Sequence, residues 1–351
     1  MNPRGALLGL VILCASSCSG IQDLGLRREN ASFGQRTLDL PARGAAVFAT
    51  DGSWLASSDG RSLCVFDWPT GRLQRQLELG SGASDGRSEP LAVSSDGHWI
   101  AAVSADGRLL CVWNARTFES AARIALDGPR ATALDCASSG QLFVADERGG
   151  LRRFDLDARD GVNAGVSPGA GATELVPARS NEGAEIVFLA LSADEHTLIL
   201  GQRSGASFAC DARTGSLLWI DEQRRALALD REQGRLLMLS TLASTVDLCE
   251  LAPAGPPTLV RTLGQGAEIG AERLAAFVPA SELVLCTRPM QALGTRWDEL
   301  ELIDSRDGSL RVSVRLSAPL ALAVAPDGRL FISAEERAAF AYDLQLLLAG
   351  R

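Results

Sequence analysis

The chain has 351 residues, a formal net charge of -9 at pH 7 and a hydrophobic content of 46%. This apolar fraction is too high for a disordered chain, and the acidic balance argues against nucleic-acid binding, which needs clustered positive charge. All 34 basic residues are arginine. Chemistry that uses a lysine Schiff base or a lysine-headed phosphate loop is therefore excluded.

Residues 1–17 have the pattern of an export signal. One positive charge, at Arg4, precedes an apolar run over residues 6–13, and small residues then lead to Cys18. The run is too short to cross a hydrocarbon core of about 30 Å, which favours a signal peptide over a transmembrane helix. The residues before Cys18 resemble the lipobox of bacterial lipoproteins. That resemblance implies cleavage before Cys18 and its lipidation; the alternative is an ordinary signal peptide with an incidental cysteine.

Residues 18–35 contain Gly, Ser, Arg, Glu and Asn without a sustained hydrophobic period. This composition predicts a flexible tether between the lipidated Cys18 and a folded body at residues 36–348. We therefore expect a protein that is lipid-anchored in the bacterial cell envelope, at the outer membrane or on the periplasmic face.

An internal repeat organises the body. A pair formed by a large or apolar residue and a polar one closes a predicted strand seven times, at intervals of about 46 residues. Asp-Gly turns between apolar runs are strong hairpin signals, so each unit predicts four antiparallel strands. Residues 160–184 are predicted as an extended connection with a short strand near residues 174–176. The closing pairs are Phe66-Asp67, Trp113-Asn114, Phe154-Asp155, Cys210-Asp211, Cys249-Glu250, Ile303-Asp304 and Tyr342-Asp343.

These pairs and turns resemble those of WD-repeat and related bacterial propellers, including the YVTN and quinoprotein-like families. The resemblance implies an all-β fold, namely a seven-bladed β-propeller of four-stranded antiparallel blades. The last unit lacks a fourth strand, and we expect residues 36–40 to supply it and close the ring. Residues 209–219, which end at Trp219, resemble the docking motif of quinoprotein-like propellers, including an outer-membrane assembly lipoprotein.

The sequence predicts no catalytic residue, metal site or cofactor. The strands expected to line the centre of the ring are apolar, and only Asp135 and Asp230 lie at their ends. A hard cation needs about six oxygen ligands, which disfavours a lactonase-like metal site. His98 and His196 occupy equivalent turns in units two apart, so neither a shared zinc site nor a Ser-His-Asp triad is expected.

Six cysteines lie in the body. Cys64 and Cys111 share one repeat position, Cys210 and Cys249 share another, and Cys136 and Cys286 have no obvious partner. A disulfide needs Cα atoms within about 7 Å and converging Cβ vectors. Small buried apolar residues are the favoured interpretation, and disulfides are the alternative.

The sixth unit contains an insertion, residues 288–298, which is predicted as a loop between its second and third strands. Aromatic, Met and Arg side chains are enriched at protein interfaces. We therefore predict that Arg288, Met290, Arg296 and Trp297 bind a partner. The alternative is a loop that folds back so that Trp297 packs on its own blade.

A scaffold without a catalytic constellation predicts a non-catalytic protein-binding or scaffolding module. Its expected partners are envelope proteins and, through the anchor, a membrane, with no nucleic acid; a monomer is expected. Two alternatives stay open. One is a quinoprotein-like outer-membrane assembly factor, and the other is a lactonase-like hydrolase with a site built from loops.

Overall fold

The described chain is built mainly from antiparallel β-strands joined by turns. The computed structural model describes residues 36–38, 45–58, 60–68, 70–80, 89–156, 166–168, 172–176, 185–252, 255–264, 273–292, 295–316, 319–328, 330–335 and 339–349. Cys18, the predicted signal and the predicted tether lie outside these residues and stay predictions.

The strands of the first half of the chain begin with one that is separate from the repeat units. They are β1 Arg36–Leu38, β2 Ala46–Phe48, β3 Trp54–Ser58, β4 Ser62–Asp67, β5 Arg72–Glu78, β6 Leu91–Val93, β7 Trp99–Val103, β8 Leu109–Asn114, β9 Ser120–Ala125, β10 Ala131–Cys136, β11 Gln141–Asp146, β12 Leu151–Asp155, β13 Val166–Pro168 and β14 Ala172–Val176.

The second half continues the pattern and ends in a short helix. Its elements are β15 Ile186–Leu191, β16 Thr197–Gln202, β17 Ser207–Asp211, β18 Leu217–Asp221, β19 Arg224–Asp230, β20 Arg235–Ser240, β21 Val246–Glu250, β22 Thr258–Gly264, β23 Ala275–Phe277, β24 Leu283–Ala292, β25 Thr295–Asp304, β26 Leu310–Leu316, β27 Pro319–Val324, β28 Leu330–Glu335, β29 Ala339–Asp343 and α1 Leu344–Ala349.

The sheets stand around a central channel as propeller blades. The first strand of each blade lies innermost, and these strands contact one another in the order β2, β6, β10, β15, β19, β23 and β27, which returns to β2. Each innermost strand is followed outward by the next strands of its own sheet in antiparallel pairing. The structure is thus an all-β propeller.

The prediction of seven uniform four-stranded antiparallel blades is wrong. Within the described residues, six sheets have that form, and the sheet of β6 to β9 has five strands. Its fifth strand, β13, runs parallel to β9, with Val166 opposite Arg123 and Pro168 opposite Ala125. β13 belongs to the chain between β12 and β14, and its pairing covers the outer edge of β9, whose backbone groups would otherwise lack strand partners.

The ring closes with the two ends of the described chain. β1 pairs antiparallel with β29, with Arg36 opposite Ala341 and Leu38 opposite Ala339. The prediction that an N-terminal strand completes the last blade is confirmed. The helix α1, which the sequence analysis did not predict, follows at once, and Asp343 Oδ1 accepts hydrogen bonds from the amides of Gln345 and Leu346 at its start.

The core lies between blades, because the middle strands of the blades are buried on both faces. In β3 every residue is buried, and in β7 all but the first are buried. This explains why the inner strands read as continuous apolar runs and not as alternating ones. One cluster joins Ile199 of one blade to Leu236 and Met238 of the next.

Candidate functional site

The predicted partner-binding insertion is a β-hairpin. β24 and β25 pair without interruption from Leu283 opposite Asp304 to Ala292 opposite Thr295. The prediction of a loop over residues 288–298 is therefore wrong, because the inserted residues continue both strands and extend their backbone ladder. Met290 and Trp297 lie directly opposite each other in this extension.

The hairpin is braced against its own blade. Arg288 Nη2 lies 2.7 Å from Glu299 Oε2, and its Nε lies 2.8 Å from Glu301 Oε1. The contact between Arg288 Nε and Glu301 Oε1 is an ion pair without the geometry of a hydrogen bond. The guanidinium of Arg315 stacks over the indole of Trp297, 4.3 Å from the ring centroid.

The insertion has features of both interpretations, the partner-binding surface and the segment that packs on its own blade. Trp297 packs on Arg315 of its own blade, yet Arg288, Met290 and Trp297 all remain half-buried on the hairpin. Arg296 lies in β25 opposite Gln291, and its side chain is outside the described part of the structure. Partner binding by these four residues stays a prediction.

The central channel holds a cavity of about 760 Å³. Its wall is formed by residues of the innermost strands, among them Leu134, Leu227 and Ala275, together with charged residues. In β10, β15, β19 and β27 the pairing to the next strand shifts by one residue near the beginning of the strand. Such bulges re-aim side chains, and Thr132, at one of them, lines the cavity.

One end of this channel carries charged residues that the sequence analysis missed. We call it the entry end, because the innermost strands begin there. Two ion pairs brace it, Arg130 Nη2 to Glu89 Oε1 at 2.7 Å and Arg203 Nε to Glu185 Oε2 at 2.6 Å. The entry end is defined by Glu89, Arg130, Glu185, Arg203, Arg225 and Arg273, all of which line the cavity.

A signal for these residues does exist in the sequence. Arg130, Glu185 and Arg273 each stand one or two positions before an innermost strand. An alignment of the repeat units on those strands would have shown a recurrent charged position. Prediction from the strands alone includes only the acids at their far ends, Asp135 and Asp230.

Those two acids are held in ion pairs. The carboxylate of Asp135 contacts Arg231 Nη2 and accepts a hydrogen bond from the amide of Leu191 at 2.7 Å. Asp230 Oδ2 lies 3.0 Å from Arg235 Nη2. The carboxylate of Asp135 therefore stabilises contacts between blades, and that of Asp230 stabilises a turn.

The two histidines lie on exposed turns. His98 Nδ1 is 2.7 Å from Asp96 Oδ2 within one turn, and the amide of His196 donates to Asp194 Oδ1. Across the described ranges, no cluster of three or more His, Cys, Asp or Glu side chains is arranged to hold a metal ion. The part of the chain that the structure describes also has no helix with the length and apolar character needed to cross a membrane.

The six cysteines of the body are free thiols in buried positions, as the sequence analysis favoured. Burial raises the pKa of Cys111 and of Cys249 to about 11, and that of Cys210 and of Cys286 to about 12. It also raises the pKa of Cys136. Because a thiolate is the reactive form, the raised pKa of these five thiols keeps the reactive form scarce at neutral pH.

The predicted docking motif joins two blades. Asp211 Oδ1 accepts hydrogen bonds from the amides of Arg213 and Thr214 at 3.1 and 2.7 Å and so forms the turn. Trp219, 7% exposed, then packs in a cluster with Met238 and Cys249 of the following blade. The motif holds neighbouring blades together.

Solved structures share this architecture. The β-propeller domain of Cps50 (Swd1) from Myceliophteria thermophila has a TM-score of 0.70 at 14% identity, covering 88% of this chain and 98% of that domain. A chain of the mitotic checkpoint complex has a TM-score of 0.66 at 14% identity, covering 88% and 91%. At such identities the likeness shows the fold alone. No curated protein matches the sequence.

A match to a protein-family model says more about this chain than the solved structures do, because it identifies a family and not the fold alone. The model described as outer membrane protein assembly factor BamB matches residues 59–246, which is more than half of the chain. The match includes the docking motif at Trp219 and the greater part of the entry end of the channel. This β-propeller therefore belongs to the family of the outer membrane protein assembly factor BamB.

Proposed function

We propose that the protein is a non-catalytic protein-binding module, lipid-anchored through Cys18 in the bacterial cell envelope, and that it works there as a monomer. The observation that carries the proposal is the braced β24–β25 hairpin. It presents Met290 and Trp297 as cross-strand neighbours, with Arg288 and Arg315 beside them. Aromatic, Met and Arg side chains on a rigid element suit a protein interface.

The family favours one kind of partner. The family is that of an outer membrane protein assembly factor, and the docking motif of residues 209–219 is consistent with that branch. We therefore propose that the bound proteins are components or substrates of outer-membrane protein assembly. A lactonase-like hydrolase is the weaker candidate, because Asp135 and Asp230 are engaged by arginines.

Site-specific photo-crosslinking in intact cells tests the interface. A photoreactive phenylalanine at position 297 is expected to capture envelope proteins, and the capture should fall when Met290→Ala is added. The matched control is the same group at Leu310, which is 50% exposed on the outer strand of the same blade. Identical captured proteins from both positions would show that the hairpin is not the interface.

The anchor is tested separately. Labelling of the full chain with radioactive palmitate should mark the wild type and not Cys18→Ala, with Cys14→Ala as the matched control. Labelling of Cys18→Ala at the wild-type level would contradict lipidation at this residue. Light scattering of the detergent-extracted protein tests the monomer, and a mass of two chains would contradict it.

A further inference from the structure

The outermost strands of the blades have an edge whose backbone groups can pair with another chain unless something protects them. Charged side chains, short strands and covering segments are the usual protections. β9 is covered by β13, and the outermost strand β1 has only three residues. The strands β5, β14, β22 and β26 each carry a charged residue at an interior position, namely Arg75, Glu174, Arg261 and Arg315.

The outermost strand β18 has none of these protections. No strand of the described chain pairs with its outer edge, and it carries no charge before its last residue, Asp221. The carboxylate of Asp221 is held 2.7 Å from Arg224 Nε. The side chains of Leu217, Leu218 and Ile220 are 62%, 48% and 53% exposed. β18 thus presents apolar side chains along an edge that no described strand covers.

The β-bulge of β18 does not prevent pairing at this edge. The bulge lies at Leu218, and β9 has a bulge at the equivalent residue, Ala121. β9 nevertheless pairs with β13 two residues after its bulge, where Arg123 lies opposite Val166. Counted from the bulge, the residue of β18 that corresponds to Arg123 is Ile220. β18 therefore has the geometry of an edge that accepts a further strand in this same molecule.

We propose that the outer edge of β18 binds an extended apolar segment of an unfolded protein, which adds to the blade as a fifth strand. The sheet of β6 to β9 gains its fifth strand, β13, in the same way from within the chain. Main-chain hydrogen bonds to the edge supply affinity for any extended segment. Leu218 and Ile220 then favour a segment with apolar side chains, because the edge between Leu217 and Ile220 has no charge to attract a polar one.

A second copy of the protein fits this edge less well than an unfolded segment does. Pairing of two β18 strands would bring together chains that each carry a net charge of -9, and like charges repel. An edge of five residues also buries far less surface than the roughly 1,200 Å² of a stable interface. A single extended segment needs no such area, because its backbone pairs directly with the edge.

The class of unfolded protein follows from the proposed function, on which this step rests. Proteins of the outer membrane are β-barrels whose strands alternate apolar and polar residues. Before such a strand joins its barrel, its backbone is free to pair with β18 and its apolar side chains can lie beside Leu218 and Ile220. The substrate of this edge is therefore an unfolded strand of an outer-membrane β-barrel, which makes the proposed role in assembly more specific.

Fluorescence anisotropy of labelled peptides, titrated with the full chain, tests this inference. The probe is a soluble peptide that alternates Val and Thr and carries N-methyl groups on its threonines, which leaves one of its two edges able to pair. A first control has an N-methyl group on every residue, so both edges are blocked and the side chains are unchanged. A second control replaces Val by Glu. The probe is expected to bind, and each control should bind at least about tenfold more weakly.

Variants assign the binding to β18. Ile220→Lys should weaken binding of the probe at least about tenfold, because a charge replaces an apolar contact on the edge. Leu259→Lys is the matched control and should bind like the wild type, since Leu259 is 50% exposed on β22, the outermost strand of the next blade. If Ile220→Lys does not fold, Leu218→Lys in the same titration decides, again with at least about tenfold weaker binding expected.

Four results would overturn the proposal. They are no binding of the probe, binding of either control peptide as tight as that of the probe, wild-type affinity in Ile220→Lys or, where that variant is unfolded, in Leu218→Lys, and a dimer of the wild type that Ile220→Lys dissociates. The last result would assign the edge to a second copy. The peptide titration uses none of the hairpin residues. Its failure therefore leaves photo-crosslinking at position 297 as the test of the proposed function, and failure of that crosslinking leaves the binding of the probe to β18 in place.

Discussion

The carboxylate of Glu195 accepts a hydrogen bond from the backbone amide of Ser138, 2.7 Å away and 57 residues earlier in the chain. The same oxygen accepts from Ser95 Oγ at 2.9 Å. These three residues lie in the turns after β15, β10 and β6, so one side chain joins three successive blades at the end of the channel opposite the entry end. Glu195 adopts a φ of 58°, which an L-residue tolerates only when its surroundings hold it there.

Loss of the Glu195 charge should destabilise the propeller in a pH-dependent way. Burial acts to raise the pKa of Glu195, but the bonds from Ser138 and Ser95 and the charge of Arg231 together lower it below the usual 4.5. The stabilisation is therefore present above that pH and disappears as the pH falls through the lowered value. Glu195→Gln should lose about 1 kcal/mol of unfolding free energy at pH 7 and progressively less towards pH 3.

Urea unfolding at pH 7, 5 and 3 measures this difference. Glu232→Gln is the control, because Glu232 is exposed in the turn between β19 and β20. A loss in Glu195→Gln that is the same at all three pH values would contradict the electrostatic account.

Truncation of Trp219 should loosen the contact between two blades. Trp219 is buried against Met238 and Cys249 of the next blade, and large-to-small changes of buried aromatics cost about 3 to 5 kcal/mol. Trp219→Ala should lower the unfolding free energy by that amount, whereas Leu217→Ala should change it by less than about 0.5 kcal/mol. Leu217 is 62% exposed on the same strand, so equal losses in urea unfolding would contradict the docking role.

The repeat was predictable because each strand end depends on residues that are close together in the sequence. All seven closing pairs end the third strand of their blade, from Asp67 at the end of β4 to Asp343 at the end of β29. Turn residues and apolar runs determine these strand ends over a few positions. The same reasoning located the closing strand β1, because the last unit was one strand short.

The errors arose where pairing joins distant segments. β13 pairs with β9 through three residues without an apolar pattern, so nothing local predicts it. The hairpin extension appeared as a loop because Pro289 and the polar residues around it are poor strand formers, yet the register places Pro289 opposite Asp298. At the entry end, the ion pair of Glu89 with Arg130 also joins two blades, so nothing local predicts that these two residues meet.

The thiols of the body should resist modification in the folded protein. All six are buried, and burial raises the pKa of Cys286 to about 12, so the thiolate that reacts is scarce at pH 8. Iodoacetamide followed by peptide mapping should find these six unmodified in the native chain and all six modified in urea. A native-state adduct at Cys111, or a disulfide between Cys64 and Cys111, would contradict the structure.

Two glycines with the same backbone strain should respond very differently to alanine. Gly215 has a φ of 72°, and a Cβ there would lie 2.2 Å from the carbonyl oxygen of Leu175 in the neighbouring blade; Gly234 has a φ of 62° and open space around it. Both variants bear the cost of a left-handed alanine, about 1 kcal/mol. Only Gly215→Ala must also displace the backbone of another blade, so its unfolding free energy should fall by at least about 2 kcal/mol more than that of Gly234→Ala. Urea unfolding of both proteins measures the difference, and equal losses would mean that the blades of Leu175 and Gly215 do not approach as closely as the structure places them.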